Sequence, residues 1–296
     1  MIQRLFKYTS ACTAVAVLKS KTLRWRIPDS FNDPFEFKNP FAYGFTWDEL
    51  TEVALRRFAT ILTQTEEPEL FPGNPVAEAI PARRLECRGK DPAEVSELIR
   101  PRFNPIVEKL KRDAESDLGE WLKMKQTYHV LCLSASHDHI LMWSHYAGSH
   151  TGVVLGFEPR LVVGRWALAT AQPVQYSNDV PVAVTLEEFV AWLSGQGPKP
   201  GGKDSFERAL WSKSIVWAYE NEWRIVDKHQ EAETAEFADH PFEPDELVEV
   251  YLGCRMHTKV RDQIISQISS WPSKVRLFQM KAQALRFELE AESLQN

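Results

Sequence analysis

The sequence predicts an α+β fold: a mixed, mostly antiparallel sheet with a helical insertion. Three observations over the 296 residues predict it. Strand-like segments cluster toward both ends of the chain. Between them, residues 46–126 carry apolar side chains at helical spacing. No regular βαβα alternation and no GxGxxG or GxxxxGK[ST] loop occurs, which argues against dinucleotide-binding parallel folds and P-loop folds.

Taken in order, IQRLFKY at 2–8 alternates as a strand, and Thr9 or Ser10 can cap the helix through ACTAVAVLKSK. TLRWRIP at 22–28 reads as a second strand stopped by Pro28. Leu50, Val53, Ala54, Arg57, Phe58 and Ile61 recur at helical spacing, as do 92–100 and 105–124, while Pro68, Pro72, Pro75 and Pro81 break the stretch between them. Strands resume at 127–134, 151–159 and 173–177. Residues 185–194 and 205–216 look helical. EWRIV at 222–226 and LVEVYLG at 247–253 are strands, a helix covers 256–270, and VRLFQM and LRFELE close the sheet. The expectation is one domain over 1–296 with 46–126 inserted in it.

Composition narrows the function. Hydrophobic residues make up 44% and charged residues 26%, which excludes a disordered chain. The net charge of −6 disfavours a general nucleic-acid binder, whose affinity comes from phosphate neutralisation. The basic residues of 100–125 alternate with Glu108, Asp113, Glu115, Asp117 and Glu120, the pattern of a solvated helix face. Cys12, Cys87, Cys132 and Cys254 form no CxxC. MIQRLFKYTS has no apolar leader core, and no apolar run approaches membrane-spanning length, so a cytoplasmic protein without a membrane segment is expected.

Three polar-aromatic segments are candidates for chemistry. In Tyr219-Glu220-Asn221-Glu222-Trp223-Arg224, a strand beginning near Tyr219 would put Glu220, Glu222 and Arg224 on one face. Carboxylates roughly 7 Å apart on that face repel unless a cation uses them. Either an ion pair with Arg224 or a carboxylate that steadies a cationic centre fits. In Met142-Trp143-Ser144-His145-Tyr146, Trp143 and Tyr146 share a helical face and could wall a pocket, with His145 as hydrogen-bond donor or acid–base group. In Phe31-Asn32-Asp33-Pro34-Phe35-Glu36, a turn pinned by phenylalanines offers Asn32, Asp33 and Glu36 to a ligand or simply to its own backbone. Tyr8 and Thr9 also end the first strand at a helix N-terminus, and Arg24 on the next strand could neutralise a phosphate. His137 and His139 raise zinc, but their spacing matches no metal motif, and no metal ligand set is assigned.

FKYTS…FNDPFE, LCLSAS…LMWSHYAGSHTGVVLGF, WAYENEWRIV and LVEVYLG together resemble a large bacterial family catalogued as a domain of unknown function, over Leu5 to about Met280. More distantly the layout resembles the ADP-ribosyltransferase superfamily, including toxins and phage-defence effectors. That resemblance implies a split sheet and a mono-ADP-ribosyltransferase with NAD as substrate. It implies Tyr8 and Thr9 at the end of the first strand against NAD, and Tyr146, Trp143 or Ser134 near the nicotinamide; Arg24, Asn32, Asp33 and His145 complete the expected cofactor-binding set. Glu222 would be the catalytic carboxylate, with Glu220 activating the acceptor. The acceptor implied is a nucleic acid or protein, and an antitoxin or sensor protein is a further possible partner. The alternatives are a metal-dependent hydrolase or nuclease on Asp33, Glu36, His145 and Glu222, and a non-catalytic module that binds a nucleotide or a partner.

Overall fold

A computed structural model describes residues 4–37, 42–160, 168–180, 182–201, 208–228 and 235–294. The chain divides into two compact units. The first comprises 1–34, 125–178 and 211–296; the second comprises 35–124 and 179–210.

The first unit opens with β1 (Leu5–Thr9), α1 (Ala11–Ser20) and β2 (Thr22–Arg26). Ser10 caps α1 by accepting from the Thr13 N–H, and Lys21 ends it in the left-handed region at φ 59. The second unit holds β3 (Ala42–Tyr43), α2 (Trp47–Thr63), α3 (Pro75–Cys87), α4 (Pro92–Met124), β8 (Val182–Val184) and α6 (Leu186–Leu193). Between those pieces the first unit continues as β4 (Tyr128–Ser134), α5 (Ile140–Tyr146), β5 (Val153–Phe157), β6 (Gln172–Pro173) and β7 (Gln175–Ser177). It finishes with β9 (Ser212–Ser214), β10 (Glu222–Lys228), β11 (Phe237–Pro241), β12 (Leu247–Leu252), α7 (Thr258–Ser269), β13 (Arg276–Ala282) and β14 (Leu289–Ser293).

Ten of these strands form one sheet in the order β11-β2-β4-β1-β5-β12-β13-β14, with β10 also on β4 and β6 on β10. Among the described residues, β12 and β13 are its one parallel pair, so the mostly antiparallel mixed sheet expected from the sequence is present. β4 is the branching strand. One edge pairs with β10 from Tyr128 to Ser134. The other meets β2 at Val130 and β1 at Ser134, and between those two points the strands part. Lys7 occupies that parting, its ammonium donating to the Cys132 carbonyl at 2.8 Å. A carbonyl without a ladder partner is thereby satisfied. Burial lowers the pKa of Lys7 despite the attraction of nearby acidic groups.

Alternation along the strands separates the two faces. Leu5, Leu131, Leu133, Leu155, Ile225 and Val250 pack with Ala14, Val17 and Leu18 of α1 and Ile264 and Ile268 of α7. Phe6, Tyr8, Val154 and Tyr251 pack with Met142 and Trp143 of α5. Close approach beside α5 requires glycine: a Cβ on Gly152 would lie 2.3 Å from the Thr9 carbonyl oxygen and 2.7 Å from that of Ala147. Gly152→Ala should therefore lower stability by about 3 kcal/mol or more in urea unfolding, because the obstacles are backbone atoms that a rotamer change cannot clear.

In the second unit, Leu50, Ala54 and Leu55 of α2 pack with Phe103 and Val107 of α4 and with Phe189, Val190 and Leu193 of α6. Ala59, Ile61, Leu62, Ile80, Cys87 and Val95 form a further core. Thr185 and Glu188 cap α6 reciprocally. The helices expected in 46–126 are present, and their unit extends to Phe35 and takes in 179–210. The prolines act differently from the sequence expectation. Pro75 opens α3 where its missing N–H costs nothing, Pro81 lies inside α3, and α4 runs through Pro101 and Pro105 as one helix. Part of the helix expected over 205–216 lies outside the described residues; from Ser212 the chain is strand, then a 3-10 turn over Ile215–Glu220.

Candidate functional site

The sheet position that gathers polar chemistry is the start of β10. The strand begins at Glu222, not near Tyr219, because the preceding 3-10 turn ends on Asn221 in the left-handed region at φ 43. Asparagine tolerates that conformation. The turn still carries Glu220 onto the same side as Glu222 and Arg224, and all three are buried, at 3%, 4% and 0% exposure. Lys213 of β9, which no sequence motif marked, is 7% exposed and lies between the carboxylates. Its ammonium donates to Glu220 Oε2 at 2.6 Å and to Glu222 Oε2 at 2.9 Å. Arg224 donates from Nε to Glu222 Oε1 at 2.7 Å and from Nη2 to Oε2 at 3.0 Å.

The two carboxylates and two cations thus neutralise each other inside the protein, the condition under which buried charge is tolerated. Burial works against ionisation of Glu222, but the charge and hydrogen bonds of Arg224, with Lys213, outweigh it and hold the carboxyl down at about 2. The Cys132 thiol also hydrogen-bonds Glu222, and burial together with that carboxylate pushes its pKa well up.

From Glu220 the network runs outward. Tyr146 donates to Glu220 Oε1 at 2.6 Å, and Asn32, which is exposed, donates to the Tyr146 hydroxyl at 3.1 Å. Burial and the bond to Glu220 raise the pKa of Tyr146, so it is a neutral donor at pH 7. Phe31 places its ring 5.8 Å from the Arg224 guanidinium. The Glu222 N–H donates to the Tyr176 hydroxyl at 2.8 Å, and Ser134 donates to the Glu220 carbonyl at 2.6 Å.

A family model described as a protein of unknown function, DUF2971, matches residues 142–225. No curated protein and no solved structure matches the chain. The DUF2971 segment contains Tyr146, Tyr176, Lys213, Glu220, Glu222 and Arg224; of the network described above, Phe31, Asn32, Cys132 and Ser134 lie outside it.

Tyr8 is buried, donates to the Ser136 carbonyl at 3.0 Å and packs edge-on against Trp143. Thr9 is buried at the end of β1, opposite Val153. Trp143 is fully buried and donates from Nε1 to the His137 carbonyl. Arg24 lies on β2 and makes a two-pronged pair with Asp239 of β11, both bonds 2.9 Å, with its guanidinium 3.6 Å from the Phe237 ring centroid. Asp33 is buried and His145 exposed. The structure therefore joins Asn32, Tyr146, Glu220 and Glu222 in one network. Tyr8, Thr9, Trp143 and Arg24 are engaged elsewhere. Among the described residues, no group of three or more His, Cys, Asp or Glu side chains is placed to hold a metal ion. No helix of the described residues is long and apolar enough to cross a membrane.

Proposed function

We propose that the chain is a binding module that recognises a nucleotide, with NAD the first candidate, at the rim where Asn32, Tyr146 and Phe31 meet the charge network. One observation carries this reading over catalysis. Both oxygens of Glu220 and of Glu222 accept hydrogen bonds from internal groups, and both residues are almost wholly buried. A carboxylate that stabilises a developing cation needs an oxygen facing the reacting atom and a charge not already neutralised. The polar and aromatic groups nearer the surface suit recognition better: half-buried Tyr146 and Phe31, with an exposed amide at Asn32.

A second reading is ADP-ribosyl transfer by an ADP-ribosyltransferase-like split sheet. The register favours it: Glu222 pairs with Ser134, and Ser134 pairs on its other edge with Phe6, two residues before Tyr8. The late carboxylate is therefore two strands from the first strand, on the same sheet face as Phe6 and Tyr8. In that reading Lys213 or Arg224 must yield one Glu222 oxygen to the substrate.

Calorimetry with NAD and ADP-ribose, run beside a nicotinamide-release assay on wild type and Glu222→Gln, separates the two. Binding without release, weakened several-fold by Asn32→Ala, is expected for the module. Nicotinamide release that Glu222→Gln abolishes would establish the transferase instead. Absence of binding to NAD and ADP-ribose alike would overturn both.

A further inference from the structure

The chain crosses between its two units at four places: 34/35, 124/125, 178/179 and 210/211. On the first-unit side, three of these crossings begin within three residues of a side chain in the charge network. Before 34/35, Asn32 donates to Tyr146 and Phe31 lies against Arg224. Before 178/179, Tyr176 accepts from the Glu222 N–H. After 210/211, Lys213 bridges Glu220 and Glu222. At the fourth, Lys125 itself pairs with Asp29, on the turn that leads to Phe31.

We propose that the buried network is a latch that fixes the roots of the connections to the helical unit, so that its integrity sets how freely those connections move. The physical basis is cooperativity. Tyr146, Glu220, Lys213, Glu222 and Arg224 share hydrogen bonds in series, and loss of one leaves a buried charge or hydroxyl without its partner. Segments 175–177 and 212–214 also pair with each other as a short parallel ladder, which ties the root at 178/179 to the root at 210/211. The latch needs no ligand. If a ligand takes the Tyr146 hydroxyl or its place on Glu220, it acts on these roots together.

Amide hydrogen exchange on the full chain tests the latch. Tyr146→Phe removes the hydroxyl that links Asn32 to Glu220 while keeping the ring. The latch predicts about tenfold faster exchange at 30–33 and also at 175–177 and 211–214, although Tyr146 contacts only the first of these through its hydroxyl. Asn32→Ala, at an exposed position, should produce the same pattern more weakly. Acceleration confined to α5 and 30–33, or no acceleration in either variant, would overturn the proposal.

Discussion

Replacing Lys213 by methionine is expected to cost about 3–5 kcal/mol of stability, the largest loss of any conservative change at the site. The stem of lysine and the methionine side chain occupy similar space, so packing is little altered. The loss is electrostatic. Glu220 Oε2 loses the Lys213 ammonium, and Glu222 keeps Arg224 as its bonded cation. Two buried carboxylates then lack the cation that bridged them. For a unit of this size the midpoint should fall by roughly 10 °C in a thermal melt. Adding Glu220→Gln should return part of the loss, since it removes the charge that Lys213 had balanced. A fall within about 1 kcal/mol for Lys213→Met would mean that the pair is solvated or mobile in solution.

Acid should unfold the protein through Glu222. Its carboxyl is held at about 2 in the folded protein against an ordinary 4.5. Protons therefore bind the unfolded chain more readily, and the stabilisation is complete above about pH 4.5 and is lost as pH falls toward 2. The size is on the order of 3 kcal/mol if Glu222 titrates alone. Unfolding free energy followed from pH 6 to pH 2.5 should drop over that window, and Glu222→Gln should flatten the drop while lowering stability near neutrality. A profile unchanged by Glu222→Gln would show that other groups carry the acid transition.

Local pattern made much of this molecule legible. The strands at 127–134, 222–226 and 247–253 stand within a residue or two of where apolar runs placed them, because each is long and bounded by turn formers. The convergence of Glu220, Glu222 and Arg224 was visible as spacing, though its route, a 3-10 turn ending in a left-handed asparagine, was not. Short-range pattern carries no sign of a backbone reversal that preserves which side a carboxylate faces. Lys213 was missed because its role depends on register between β7 and β9, short strands with no motif. The Asn32–Tyr146 bond joins residues 114 positions apart, a contact that only the folded topology creates. LRFELE was misplaced for a related reason. Leu285 and Phe287 look like strand residues, yet they stand almost fully exposed where the chain turns between β13 and β14, which resumes pairing only at Leu289. Tyr8, Thr9 and Arg24 looked like an anion site from their neighbourhood in sequence. In the fold Arg24 turns instead to Asp239, a partner 215 residues away.

Internal cations hold the carboxylates of Glu220 and Glu222. A double-mutant cycle on Lys213→Met and Glu220→Gln, read by urea unfolding at pH 7, measures that hold directly. A coupling energy of at least about 2 kcal/mol is predicted, with the double variant more stable than Lys213→Met alone; effects that add within about 0.5 kcal/mol would contradict it.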